Sequence, residues 1–232
     1  MRVVTNARGA RLVHDGHTVS VLPARPGPTK SIFDVLAALV AQLAPVRAPV
    51  AMLGFAAGGT VAPLRALGVA GRIDAVDLSS DGVAAFRRIA RDWAGEVDIA
   101  EDEASRWLRS RRVRYGAVID DLSMQVPGDV TKPEVSWTVL PPLMASRLRG
   151  GGVTVHNLLP VAGLSWRSLI EQVTRDRPAA AEVRSRDYDN RIVITADTLP
   201  SANALRRELV ALLESIASPL AAGVSVRTLA RP

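Results

Sequence analysis

Four carboxylates stand where apolar runs end: Asp77 after RIDAV, Asp102 beyond VDIA, and the adjacent Asp120 and Asp121 after YGAVI. A carboxylate at such a place can accept from sugar hydroxyls, accept from an exocyclic amine, or take a proton from a nucleophile. Ahead of them lies a glycine turn, Gly54-Phe55-Ala56-Ala57-Gly58-Gly59-Thr60, which closes the apolar run VAML. Glycines there let the backbone turn sharply and approach a ligand, and the helix that follows presents its first amides to it. Two ligand classes fit. Gly54-x-Ala56-x-x-Gly59 is a relaxed dinucleotide fingerprint with Asp77 at the distance expected of a ribose-gripping acid. The same turn equally suits the methionine end of S-adenosylmethionine. Taken singly, the turn could also be a strand–helix connection without a ligand, and Asp77 or Asp102 a helix N-cap.

The elements that position these residues alternate. Apolar runs suited to strands buried on both faces fall at 48–54, 72–77, 96–100, 115–120 and 152–157. Helical stretches separate them, at about 59–68, 81–93, 103–110 and 134–147. This rhythm predicts a parallel sheet covered by helices on both faces. A helix over 166–175, strand-like runs at 181–186 and 190–196 close enough to pair antiparallel, and a helix over 202–217 complete the chain. The expected fold class is α/β, a Rossmann-like class I methyltransferase sheet whose parallel core is closed by an antiparallel hairpin. Carboxyl ends of the strands form the ligand edge of such a sheet, so all the acids crowd one rim. Ahead of the sheet, Asp15-Gly16 between alternating apolar residues predicts a small hairpin. A proline-rich linker follows, and Ser31 with Asp34 reads as a capping box starting a helix that runs to about Leu43. The expected division is 1–28 for hairpin and linker and 29–232 for the catalytic domain.

Composition narrows the function classes. The chain has 232 residues, 48% hydrophobic and 22% charged, as expected of a globular protein. It has no cysteine, which excludes disulfides, thiolate metal ligands and a cysteine nucleophile. The two longest charge-free stretches, 48–64 and 150–166, are broken by Gly and Pro, and the N-terminus lacks the apolar core of a signal peptide. A soluble cytoplasmic protein without a membrane segment is the expectation. The net charge of +6 invites nucleic acid, yet only Lys30 and Lys132 among 29 basic residues are lysines, and aromatics are only 4%. Such arginine bias reads as easily as genome composition, and there are few platforms for stacking bases. A small-molecule partner is favoured over nucleic acid. No metal is expected, since His14 and His17 form a pair without a carboxylate at ligand spacing.

The order GFAAGGT, AVDLS, AEDEASRWL, YGAVIDD and LRGGGVTVHN resembles the spermidine synthase-like (polyamine aminopropyltransferase) branch of class I S-adenosylmethionine-binding enzymes, over roughly residues 30–195. The resemblance implies S-adenosylmethionine or decarboxylated S-adenosylmethionine as cofactor, and a homodimer by analogy. It implies that Gly54, Gly58 and Gly59 line the methionine end with Phe55. Asp77 with Leu78 would hold the ribose, and Asp102 with Glu103 would meet the adenine. Asp121 matches the family's catalytic aspartate. Asp120 adjoins it, but strand alternation turns neighbouring side chains to opposite sides, so only one is expected to face the ligand.

The departures redirect the substrate. Where aminopropyltransferases carry an Asp-Ser-x-Asp-Pro segment, this chain has Asp121-Leu-Ser-Met124-Gln125, without the second acid, and the acidic position of the glycine turn is Ala57. A diamine dication is held poorly without paired carboxylates, so an unusual acceptor is expected. The segment 122–133 reads as a lid loop with Met124 and Gln125 on substrate, and Asp129 replaces the missing acid only if that loop folds inward. His156, at the end of the fifth strand, is a base or a group satisfying backbone. Arg184, Arg186, Asp187, Tyr188 and Arg191 are candidate polar contacts near the late hairpin. The expected activity is transfer of an aminopropyl or methyl group to a small amine or other nucleophile. The rivals are a plain small-molecule methyltransferase, a degenerate nucleotide-binding module, an NAD-dependent oxidoreductase for which no substrate domain is evident, and an RNA-modifying enzyme.

Overall fold

The computed structural model describes residues 2–14, 17–126 and 129–230. The Asp15-Gly16 turn, the side chains of His14 and His17, and Pro127 and Gly128 of the lid segment lie outside the described residues. The chain opens with three antiparallel strands, β1 (Arg2–Asn6), β2 (Gly9–His14) and β3 (His17–Pro23). The expected hairpin is β2–β3, with His14 opposite His17, and β1 extends it by one strand. RVVTN is almost wholly exposed, so it carries no buried face to announce a strand.

Helix α1 (Ile32–Leu43) follows, and its residues Val35 to Val40 are all fully buried. An apolar surface on every side marks a helix packed between neighbours rather than laid on a surface. Its start departs from the expected capping box, because Ser31 makes no side-chain cap. Asp34 instead reaches back to accept from the Thr29 N–H (2.7 Å), the Lys30 N–H (3.0 Å) and the Thr29 hydroxyl (2.7 Å). It also accepts from the Ser218 hydroxyl (2.7 Å), 184 residues away. This buried carboxylate thus ties the linker, α1 and the C-terminal segment together.

The alternating region runs β4 (Val50–Leu53), α2 (Val61–Ala66), β5 (Ile73–Asp77), α3 (Val83–Ile89), β6 (Val97–Glu101), α4 (Ala104–Ser110) and β7 (Tyr115–Asp120). The lid segment contains a two-stranded hairpin, β8 (Met124–Val126) and β9 (Asp129–Thr131). The single helix expected over 134–147 is two, α5 (Val135–Thr138) and α6 (Leu140–Ser146), since Pro141 and Pro142 begin a helix but cannot continue one. Then come β10 (Leu148–Leu158), α7 (Trp166–Thr174), β11 (Ala179–Ser185), β12 (Arg191–Ala196), α8 (Ala202–Ser215) and β13 (Val224–Thr228).

The large sheet has the order β13-β11-β12-β10-β7-β4-β5-β6. Strands β6, β5, β4, β7 and β10 are parallel, and β12, β11 and β13 are antiparallel additions. From β4 the chain steps outward to β5 and β6, then returns to place β7 and β10 on the other side. That reversal opens a crevice at the carboxyl ends of β4 and β7, where such sheets bind ligands. Alternation divides the core by face. Val50, Met52, Ala117, Ile119, Val153 and Val155 pack with α1 and α8, whereas Ala51, Leu53 and Val118 pack with α4 and α6.

Replacing Asp34 by alanine strands several buried donors at once, and we expect a loss of about 2–4 kcal/mol in urea unfolding. Ser218→Ala, which removes a single contact, should lose about 1 kcal/mol.

Candidate active site

The crevice is a cavity of about 790 Å³, a volume typical of small-molecule sites. Its floor is the glycine turn and the ends of β5, β7 and β10. Its roof comes from β2 and β3, the start of α1, and the β8–β9 hairpin.

Close backbone approach explains the glycines. Gly54 has φ +89°, and a Cβ there would lie 2.7 Å from the Asp121 carbonyl oxygen, so this residue lets the ends of β4 and β7 converge. Gly58 (φ +74°) does not line the cavity; a Cβ there would strike the Phe55 and Phe86 rings at 2.7 Å. Those rings pack edge to face beneath the turn. Phe55 therefore offers its backbone to the cavity rim while its ring is core.

Asp77 and Leu78 both line the cavity. One Asp77 oxygen accepts from the Phe55 N–H (2.8 Å) and the Ala56 N–H (2.7 Å), and the other from the Ser79 N–H (3.0 Å). The carboxylate thus holds the glycine turn in shape, and its two oxygens keep lone pairs for a ligand.

Of the two adjacent acids, Asp121 lines the cavity and Asp120 does not. Asp121 continues the face of Ile119, and Asn157 continues the face of Val155 on the neighbouring strand. The Asn157 amide donates to Asp121 Oδ1 (2.7 Å), and the Asn190 amide donates to Asn157 Oδ1 (2.8 Å). All three residues line the cavity. Burial pushes the Asp121 carboxyl up to about 6; the Asn157 hydrogen bond and the Lys132 charge oppose this, and Asp120 and Asp77 add to it.

Asp120 and His156 occupy the other face of the sheet, fully buried and opposite one another in register. His156 bonds the Thr154 hydroxyl (2.9 Å), and its Nδ1 lies 3.9 Å from Asp120 Oδ2. Lys132, also buried, donates to Asp120 Oδ1 (2.9 Å), the Asp120 carbonyl (3.2 Å) and the Leu122 carbonyl (2.9 Å). Burial raises the Asp120 carboxyl, but the Lys132 charge and the facing imidazole outweigh it and hold Asp120 below its ordinary value. Asp120, named with Asp121 as a catalytic candidate, is thus the one of the two that faces away from the cavity. His156, read as a base or a group satisfying backbone, bonds the Thr154 hydroxyl in this internal network.

The remaining positions divide. Gly59 and Gln125 line the cavity, and so does Asp129, which is exposed on the hairpin. Asp102, Glu103 and Met124 are not among the lining residues. The Asp102 carboxylate engages Arg106 and the Glu103 N–H (2.7 Å), and the Arg106 hydrogen bond lowers its pKa. Glu103 caps α4 through Ser105 and Arg106 amides, and Met124 is half exposed. Sequence reasoning passed over Asn190 and the roof residues contributed by β2, β3 and the start of α1. One of the latter is Ser20, whose hydroxyl is buried without a hydrogen-bond partner. Among the described residues no group of three or more metal-ligating side chains gathers, and no helix is long and apolar enough to cross a membrane.

Strand order and the glycine turn give the chain a Rossmann-like α/β fold, shared with spermidine synthases and methyltransferases of known structure. Solved structures bear the same stamp. The chain is similar to a probable spermidine synthase from Corynebacterium glutamicum, with TM-score 0.68 and 16% identity, over 99% of this chain and 86% of that one. A spermidine synthase in complex with the transition-state analogue AdoDATO aligns with TM-score 0.64 and 14% identity, over 84% and 68%. Human methyltransferase-like protein 13 in complex with SAH aligns with TM-score 0.61 and 17% identity, over 82% and 92%. No family model matches the sequence, and no curated protein does.

Two predictions test the electrostatics. The raised carboxyl of Asp121 stabilises the fold fully below about pH 4, and that contribution is lost as pH rises through about 6. Asp121→Asn should therefore be more stable than wild type by about 1–2 kcal/mol at pH 7.5, after discounting for partial exposure, with the gap closing by about pH 4 in urea titrations. Lys132→Met leaves Asp120 buried and unpaired, and should lose about 3–5 kcal/mol. Lys132→Arg should not restore it, since a planar fork cannot converge on three oxygens arranged around one ammonium.

Proposed function

We propose that this protein is a transferase that binds an S-adenosylmethionine-type sulfonium and alkylates a nitrogen of a small acceptor, with Asp121 as the proton-accepting group. The observation that carries the reading is a single partly buried carboxylate with a raised pKa, held by an amide chain at the rim of a cavity floored by the glycine turn. The residues present fit the cofactor. Asp77 offers carboxylate lone pairs to a ribose, and the backbone of the Gly54–Thr60 turn borders the methionine end. Asp102, engaged by Arg106 and outside the cavity lining, takes no part in this reading.

When bound, the sulfonium supplies an activated carbon: an acceptor nitrogen lone pair forms the new C–N bond as the C–S electrons return to sulfur. This chain's part is alignment and one proton. Asp121 accepts a hydrogen bond from the acceptor ammonium, takes its proton, and leaves the lone pair facing the cavity. With a pKa near 6, the carboxylate is ionised at neutral pH yet basic enough for that transfer. Asn157 fixes which oxygen faces inward. The β8–β9 hairpin, with Gln125 and Asp129 toward the cavity, restricts water. A lone exposed carboxylate on the hairpin is a looser substitute for the second acid of aminopropyltransferases. This favours an acceptor other than a simple diamine, and leaves methyl transfer as the second reading.

Calorimetry with S-adenosylmethionine, its decarboxylated form, methylthioadenosine and S-adenosylhomocysteine tests the assignment. Asp77→Ala should weaken nucleoside binding by about 1–3 kcal/mol. Asp121→Asn should leave that binding nearly unchanged while lowering turnover by about 10²–10⁴-fold. Absence of binding to all four ligands would refute the reading. Tighter binding of the carboxylate-bearing ligands would point to methyl transfer.

A further inference from the structure

A second cavity, of about 310 Å³, adjoins the first and shares Tyr188 and Asn190 with it. Its floor is set by cross-strand register. Arg184 on β11 lies directly opposite Arg191 on β12, and Arg227 on β13 lies opposite Glu182. Like charges placed opposite one another across antiparallel strands destabilise a sheet. Here one buried carboxylate holds three guanidinium groups: Glu182 accepts from Arg184 Nε (2.7 Å), from Arg191 Nη1 (2.7 Å) and from Arg227. Burial raises the Glu182 carboxyl, but the three arginines outweigh it and lower its pKa. The cluster therefore carries excess positive charge, and its contacts to Glu182 use only part of the five donors on each guanidinium. Arg191 is further fixed by lying 4.7 Å over the Trp166 ring. Arg186 stands on the rim, with Asp189 also lining the cavity and Asp187 3.8 Å from Arg186.

We infer that this second cavity is an oxyanion subsite, which takes a carboxylate or phosphate carried by the acceptor. Guanidinium groups held in fixed planes match the bidentate geometry of both anions. Asn190 borders both cavities and begins the amide chain to Asp121, so an acceptor anchored here by its anionic end reaches toward Asp121 with its other end. The identity of the bound end as part of the acceptor rests on the function proposed above; the presence of an anion site does not.

Calorimetry on the full-length protein at low salt, with inorganic phosphate and with glutarate as probes, tests the inference. One of them should saturate at one equivalent. Binding should be weakened at least tenfold in Arg184→Gln and Arg186→Gln, and unchanged in Arg88→Gln on the exposed side of α3. Whichever probe binds more tightly identifies the group. The bound probe and S-adenosylhomocysteine should occupy the protein together. Lack of saturable binding, equal binding in all three variants, or mutual exclusion with S-adenosylhomocysteine would overturn the subsite. Probe binding without any nucleoside binding would leave the subsite standing and overturn the transferase reading instead.

Discussion

Two neighbouring carboxylates at the end of one strand cannot face the same way, and the chain resolves this by giving them opposite tasks. Asp120 turns into the apolar layer under the sheet, where an unpaired charge would be prohibitive. Lys132 meets it there, and the lysine stands just after β9. Pairing the two therefore brings the chain just after β9 back to the end of β7. That single buried ion pair sets the height of the hairpin, holds the Leu122 carbonyl, and leaves Asp121 as the carboxylate that looks into the crevice. The same positive charge moderates the raised pKa of Asp121 from below, so the two tasks are electrostatically linked.

The layered α/β plan was legible because strands buried on both faces read as continuous apolar runs, and the helices between them are bounded by turns. β1 and β13 escaped notice because they are short and mostly exposed, and the β8–β9 hairpin because three-residue strands leave no period. In the site, Gly54, Asp77 and Asp121 were legible since each is a residue type whose presence at a strand end demands a reason. The assignment of His156 over Asn157 is a different matter. Alternation alone relates His156 to Thr154 and Asn157 to Val155; which face meets the cavity follows only from pairing β10 with β7. Lys132 did leave a trace. In a chain that uses arginine almost throughout, a retained lysine marks a place where a compact ammonium fits and a planar guanidinium does not.

Asp77 shows how scaffold and site overlap. The acid expected to grip a ribose also binds the two amides that shape the turn, so the ligand edge and the turn share one carboxylate. Asp34 does similar service on the opposite rim, fixing the linker from which Thr29 to Phe33 approach the cavity. Asp77 thus shapes the floor of the cavity, while buried Asp34 fixes one part of its roof.

The distribution of charge across the two cavities carries the argument about the acceptor furthest. A dication would need carboxylates at both ends of its path, yet the acids concentrate around Asp77, Asp121 and Asp129, while the adjoining cavity floor is built from arginines opposed across a sheet. Positive charge there repels the far end of a diamine and attracts that of an amino acid or an amino phosphate. Under the function and subsite proposed above, the missing second aspartate after β7 and the unbalanced arginines on β11 and β12 share one physical explanation: an acceptor with an amine for Asp121 and an anion for Arg184 and Arg191. A dipolar acceptor matches both ends of this field better than a diamine does.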